Sequence, residues 1–278
     1  MSLICPGFRL VAMKISVIVP TYKPQAYLWE CLDSIAAQTF SKEDFEVLLV
    51  LNGCCEPYNS QIKDWLSNHD ELQVRYIQTD VPGVSNARNI ALDRATGEYV
   101  TFIDDDDYVS PDYLSGLYAV TSGDTMGLCY PYAFRDGNLA HQLPYALTKQ
   151  YEQLAGKVTM TYTRARKYFS GPCMKLMPMS FIQGRRFDVR FKNGEDSLFM
   201  FLISDRFSKV SFASRDVVYY RRVRESSATT KHRDLCQRIN NQLEMIREYN
   251  HIYYKRAKSY KVSFYFTRIV GAIKSIFV

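Results

Sequence analysis

The sequence is narrowed first by what it lacks. Its seven cysteines, Cys5, Cys31, Cys54, Cys55, Cys129, Cys173 and Cys236, are odd in number and none stands in CxxC spacing. Neither a disulfide framework nor a zinc site is indicated, and a reducing cytoplasm fits best. The four histidines, His69, His141, His232 and His251, are scattered, and none reads as a metal ligand. The apolar run in MSLICPGFRLVA is too short to span a bilayer and makes a poor secretory signal. Residues 1–13 are therefore expected to be a tag or leader ahead of a start at Met13. Internal repeats and low-complexity linkers are absent. Acidic residues stop at Glu248, while Lys255, Arg256, Lys258, Lys261, Arg268 and Lys274 follow it and account for the whole net charge of +6. The body is thus close to neutral. A nucleic-acid-binding domain spreads basic residues over a face, so no nucleic-acid partner is expected.

What is present is a chain of 278 residues, enough to bury one large core. Lys14–Pro20, KISVIVP, is a β-branched run of the kind found in strands buried on both faces of a parallel sheet. Leu28, Cys31, Leu32 and Ile35 follow at helical spacing, and Phe45–Leu51 gives a second buried strand closed by Asn52 and Gly53. A helix over 58–68, an alternating strand over 72–77, a helix from Val84 to Ala95 and a strand over Tyr99–Ile103 complete a β-α-β-α-β-α-β series. That order predicts an α/β fold with a mostly parallel, Rossmann-like sheet flanked by helices. Farther on, Met126–Phe134 and two pieces at 175–181 and 187–191 read as extended, and Tyr151–Tyr168 reads as helical. Glu195–Asp205 opens as a helix at Gly194, strands are expected at 209–213 and 217–221, and a helix at 235–249.

The fourth strand ends in Asp104, Asp105, Asp106 and Asp107, and Ser110, Pro111 and Asp112 resemble the cap and first turn of a helix. Ligands of open α/β sheets bind at the carboxyl ends of the strands. Neighbouring carboxylates repel by about 1 to 4 kcal/mol each, so the cluster needs full solvation or a neutralising cation such as Mg²⁺. Taken alone, it could equally be an acidic surface turn before a helix.

Four separated segments settle more than the turn does. KISVIVPTYKPQAYLWECLDSIAAQTF, GVSNARNIALDRATGEYVTFIDDDDYVSPDYL, CMKLMP and NGEDSLFMFLI together resemble the inverting family 2 glycosyltransferases of GT-A fold, over about residues 14 to 225. The resemblance implies that Pro20, Thr21 and Tyr22 hold the nucleotide, with Tyr22 stacking on the base. Asn52 stands where the family usually has an Asp facing the base, and a UDP-sugar is the default donor. Arg88 and Asn89 would face the nucleotide and the acidic cluster. Asp104 and Asp105 would lie against the ribose or donor sugar. Asp106 would bind Mn²⁺ or Mg²⁺, and Asp107 would serve loop structure. Asp196 matches the general base of an ED pair whose other member is Glu195, on the acceptor side with Lys175. Arg221, Arg222, Arg224 and Ser226 resemble a mobile loop closing over the diphosphate.

The resemblance thus implies a metal-dependent inverting glycosyltransferase moving a sugar from a nucleoside diphosphate donor to a glycan or lipid-linked acceptor. Residues 14–112 would form its nucleotide-sugar half, 113–230 its acceptor half and 231–278 a helical extension. A sugar-nucleotide nucleotidyltransferase is the alternative, but it calls for a glycine-rich loop after the first strand, where this chain has PTYKPQ. A non-catalytic Ca²⁺- or glycan-binding module would explain the acidic turn and leave Asp196 without a purpose. In the tail, Val262, Phe266, Ile269, Val270, Ile273, Ile276 and Phe277 recur at intervals of three and four among basic residues. That pattern fits a helix lying on an anionic membrane, and its rival is a helix packed on the catalytic domain. The expected location is cytoplasmic, peripheral on the inner face of the cell membrane.

Overall fold

A computed structural model describes residues 13–156, 159–224 and 235–277. Its first half follows the hydrophobic pattern closely. The run Ile15–Thr21 forms β1, buried at every position, followed by α1 (Tyr27–Ala36), the equally buried β2 (Phe45–Asn52) and α2 (Tyr58–Ser67). Next come β3 (Val74–Thr79), half-exposed as its alternation requires at a sheet edge, then α3 (Val84–Leu92) and β4 (Tyr99–Phe102). These four strands pair in parallel in the order β3-β2-β1-β4. Burying each Val, Ile or Leu of β1 and β2 stabilises the sheet by about 1.5 to 3 kcal/mol relative to exposure. The sheet edge that collects the strand ends is therefore held by a rigid base.

The second half departs from simple alternation. It comprises β5 (Tyr108–Val109), α4 (Tyr113–Val120), β6 (Thr125–Leu128), β7 (Tyr130–Arg135), β8 (Asn138–Gln142), α5 (Ala146–Leu154), β9 (Met160–Thr161), β10 (Lys175–Pro178) and α6 (Met179–Ile182). After these come α7 (Glu195–Leu202), β11 (Lys209–Phe212), β12 (Val218–Val223), α8 (Leu235–Lys255) and α9 (Val262–Phe277). Strand β10 inserts antiparallel beside β4 and extends the main sheet through β6, β11 and β9 to eight strands. A second sheet, in the order β5-β12-β7-β8, stands beside it.

Several local expectations are corrected. The single strand expected over 126–134 divides at Cys129, with β6 in the large sheet and β7 in the small one. Residues 151–168 are not one helix: α5 ends at Leu154, and 162–170 coil as a 3₁₀ helix broken at Ala165 and Phe169. Phe187–Phe191 forms no strand. Ser110 does not cap α4; its hydroxyl accepts the Val218 N–H and ties the acidic turn to β12.

Gly53 shows how tightly the strand ends are drawn together. It takes a left-handed φ of 65°, and a Cβ there would stand 2.5 Å from Cβ of Pro82. We expect Gly53→Ala to cost about 2 to 4 kcal/mol, adding left-handed strain to overpacking. A lowered urea midpoint at unchanged m-value checks this, and an unchanged midpoint would mean that the two loops move apart freely.

The terminal helices close the molecule. Tyr249 of α8 and Arg268 of α9 both reach the Ser197 hydroxyl of α7, at 2.8 and 3.0 Å. Phe201 of α7 stacks on Tyr260 and packs against Tyr249 and Phe264. The tail is thus packed on the domain through one face of α9.

Candidate active site

Three strand ends and two helix starts meet at the carboxyl edge of the parallel sheet. Thr21 at the end of β1 donates its hydroxyl proton to Asp105 at 2.5 Å. Tyr22 beside it is half-exposed, with the Lys23 ammonium 5.4 Å from its ring centre, so one aromatic face remains open for stacking. Asn52 at the end of β2 is buried. Its amide donates to the Thr21 carbonyl at 2.7 Å and its oxygen accepts the Gly83 N–H at 2.8 Å, joining the β1 turn to the start of α3.

The four aspartates after β4 are turned to four different partners. Asp104 accepts from Arg88, Asp105 from Thr21, Asp106 from Arg224 at 2.6 Å, and Asp107 from the Arg222 N–H at 2.7 Å. Division of this kind relieves repulsion that a shared direction would concentrate. It does not remove it: burial, aided by neighbouring carboxylates, pushes Asp105 up to about 7 although the Thr21 hydrogen bond opposes the rise. Asp106 is raised too, by burial and then by Asp104, against the pull of Arg224. The Arg224 guanidinium lies over Tyr27, 4.6 Å from the ring centre.

Across the cleft, Gly194 takes φ 84° and lets the chain turn directly into α7, so Glu195 and Asp196 fall in the first turn, where the helix dipole favours acids. Arg88, buried in α3, joins the two walls. One guanidinium nitrogen lies 2.9 Å from Asp104 and the other 2.6 Å from Asp196. Phe187 supports that guanidinium from below at 5.3 Å and stacks on Phe199 of α7 at 3.8 Å. Burial raises the Asp196 carboxyl above its ordinary range while Arg88 pulls it back. Glu195 is pushed up to about 7, by burial and then by Asp196. The second oxygen of Asp196 faces Gly171, whose loop is fixed from behind by Lys175: its ammonium donates to the carbonyls of Gly171 at 2.6 Å and Cys173 at 2.5 Å.

Residues 16–182 match the sequence profile of Glycosyl transferase family 2, well over half of the chain. The chain belongs to that family. Among its relatives, the poly(ribitol-phosphate) β-N-acetylglucosaminyltransferase TarS of Staphylococcus aureus is 41% identical over 107 residues, 38% of this chain and 18% of that protein. The GalNAc(5)-diNAcBac-PP-undecaprenol β-1,3-glucosyltransferase of Campylobacter jejuni is 25% identical over 95% of this chain and 86% of its own length. The crystal structure of TarS residues 1–349 with UDP superposes with a TM-score of 0.62 and 28% identity, covering 76% of this chain and 61% of that one. A mannosyltransferase from Pyrobaculum calidifontis, solved with GDP-mannose and Mn²⁺, shares the fold at a TM-score of 0.60 and 19% identity. The fold is thus the GT-A fold of the family 2 enzymes, with a helical carboxyl-terminal region.

The geometry also redistributes several roles within this family 2 site. The Asn89 amide clamps both backbone groups of Phe187 at 2.8 Å, setting the ring beneath Arg88. Asn52 is engaged with backbone at both ends of its amide. Lys175 has no surface for an acceptor and supports the Gly171 loop, burial lowering its pKa to about 8. Arg221 and Arg222 lie in β12 instead of a loop. The Arg221 guanidinium lies over Tyr145, 5.1 Å from its ring centre. Ser226 lies outside the described residues. Arg222 is the larger surprise: it is buried, donates to the Asp106 carbonyl, and pairs with Asp136 at 2.5 Å and Glu30 at 2.6 Å, bracing the acidic turn from the second sheet. The Tyr219 hydroxyl accepts the Asp104 N–H from the same strand. Their partners lie 86 to 192 positions away, beyond the reach of any local pattern.

Proposed function

We propose that this chain is a metal-dependent inverting glycosyltransferase that moves a sugar from a nucleoside diphosphate sugar, by default a UDP-sugar, to a hydroxyl of a glycan or lipid-linked acceptor. The observation that carries the reading is the Arg88 bridge. One buried cation ties the acidic turn to a lone carboxylate, so both sit on one cleft at the strand ends. Uridine is favoured by TarS, whose structure holds UDP, and a lipid-linked acceptor by the Campylobacter relative, whose name carries an undecaprenol diphosphate.

The reaction needs one base. Asp196 has one oxygen occupied by Arg88 and the other turned toward Gly171 without a partner among the described residues, and that second oxygen takes the acceptor's hydroxyl proton as the hydroxyl's oxygen bonds to the anomeric carbon. The bond from that carbon to the diphosphate breaks, its electron pair leaves with the nucleoside diphosphate, and the configuration inverts. Retention by double displacement needs a second carboxylate astride the bond. In the proposed reaction no such role is asked of Glu195, the buried neighbour of Asp196.

Among the described residues, no three His, Cys, Asp or Glu side chains lie close enough to share a metal ion. The donor set fits a cation held by one carboxylate: Asp106 is mostly buried, carries a raised pKa and already faces a positive partner in Arg224. A hard divalent ion commonly takes one or two carboxylates and completes its shell with water and phosphate oxygens. When bound by Asp106 and the donor, Mn²⁺ or Mg²⁺ would supply positive charge for the departing diphosphate. Tyr22 offers its ring to the base, and Arg224, released from Asp106, offers its fork to phosphate oxygens.

Calorimetric titration with UDP in the presence and absence of Mn²⁺ tests the reading, and a glycan-binding module would ignore the nucleotide under both conditions. For Asp106→Ala we expect the Mn²⁺ enhancement of UDP binding to collapse from about tenfold or more to near unity. A full enhancement in the variant would mean that another residue holds the ion.

A further inference from the structure

Helix α9 is apolar on two sides, and among the described residues only one is covered. Phe264, Tyr265 and Ala272 are buried against the domain. Val262, Phe266, Val270, Ile273 and Phe277 recur every three or four residues on the other side and remain between 44% and 81% exposed. That is one continuous stripe, whereas a surface helix of a soluble protein turns polar residues outward. Its setting is basic. Lys255, Lys258 and Lys261 are exposed in the approach to the helix, Lys274 is exposed within it, and no acidic residue follows Glu248. Tyr254, 71% exposed, is an aromatic residue of the type that collects at membrane interfaces. No described helix is long and apolar enough to cross a membrane.

We propose that the exposed stripe of α9 seats on an anionic lipid surface, with Lys255, Lys258, Lys261 and Lys274 meeting the headgroups. An apolar stripe bordered by these four lysines, in a segment with no acid after Glu248, is complementary to a negatively charged bilayer, and it lies in the interface plane without crossing it. A second copy of this chain would bring the same cations against themselves, which disfavours self-association. The opposite face of α9 holds the catalytic wall, since Arg268 donates to Ser197, the residue after Asp196. Lipid binding therefore anchors α7 directly, at a fixed height from the surface. Vesicle binding is read without donor or acceptor, so its outcome is separate from that of the transfer reaction.

The test is co-sedimentation of the full chain with phosphatidylcholine vesicles, with and without phosphatidylglycerol, alongside light scattering in the absence of lipid. The unaltered chain should bind the anionic vesicles about tenfold or more above the neutral ones and release them as salt rises. The triple variant Phe266→Ser, Val270→Ser, Ile273→Ser should bind them about tenfold more weakly while keeping its UDP affinity and melting midpoint. Absence of binding by the unaltered chain overturns the proposal, and so does undiminished binding by the triple variant. A dimer in scattering that the triple variant dissolves, with vesicles ignored, assigns the stripe to a second copy and overturns it equally.

Discussion

Asp196→Asn should leave nucleoside diphosphate binding within about twofold of the unaltered chain while transfer falls by a factor of about 10² to 10⁴, the usual range for loss of a general base. Asparagine keeps the volume and an oxygen for Arg88, so the cleft should hold its shape, yet the amide cannot accept the acceptor's proton. The pH profile carries the same assignment. Burial holds the Asp196 carboxyl above the usual range, and the base works only when deprotonated. Transfer should therefore fall as pH drops through a value above that of an ordinary aspartate, and Asp196→Asn should lose that acid limb. Unchanged turnover in the variant, or an acid limb that persists in it, removes Asp196 from the role.

Arg88→Met is expected to damage both stability and rate. Methionine fills much of the volume but leaves two carboxylates facing each other without their shared cation. Removing one partner of a buried pair commonly costs about 3 to 5 kcal/mol. Here the Asp104 side chain is 40% exposed and partly solvated, so about 2 to 4 kcal/mol is expected. The loss should grow with pH. A carboxyl whose folded pKa lies above its unfolded value contributes stability at low pH, and that contribution disappears as pH rises through the folded value. Without Arg88 opposing burial, the Asp196 value rises further, so the variant should stand nearest the unaltered chain in acid and farthest at neutral pH. Transfer should fall by about 10² or more, because Asp196 also loses its fixed orientation. Urea titrations at two pH values read the effect, and an equal loss at both would mean that Arg88 serves packing alone.

Much of this was legible in the sequence, for identifiable reasons. The buried runs of β1 and β2 and the abrupt stop of β4 at four aspartates placed the parallel half, because both faces of such strands must be apolar and the polar break must fall at an end. Asp104, Asp106, Arg88 and Asp196 stand out in the sequence, and the structure joins three of them in one bridge while Asp106, two residues along the turn, pairs with Arg224. What local patterns did not carry were roles set by distant partners. Asn89 reads as a binding residue beside Arg88 and instead clamps Phe187, 98 positions away. Lys175 reads as an acceptor-side residue and instead donates to two carbonyls of the Gly171 loop. Arg222 reads as one of three loop arginines and is the brace of the acidic turn. Helical periodicity in the tail was visible, but not that a second apolar face, through Phe264 and Tyr265, would dock on α7.

In the proposed reaction a diphosphate is held on the Asp106 side of the Arg88 bridge and a proton is taken on the Asp196 side. Crystals grown with UDP and Mn²⁺, measured for the anomalous signal of manganese, test it most directly. One manganese peak is expected against Asp106 and the diphosphate, with Arg224 turned away from Asp106 and Asp196 free of the metal. A peak on Asp196, or UDP bound away from Thr21 and Tyr22, contradicts it.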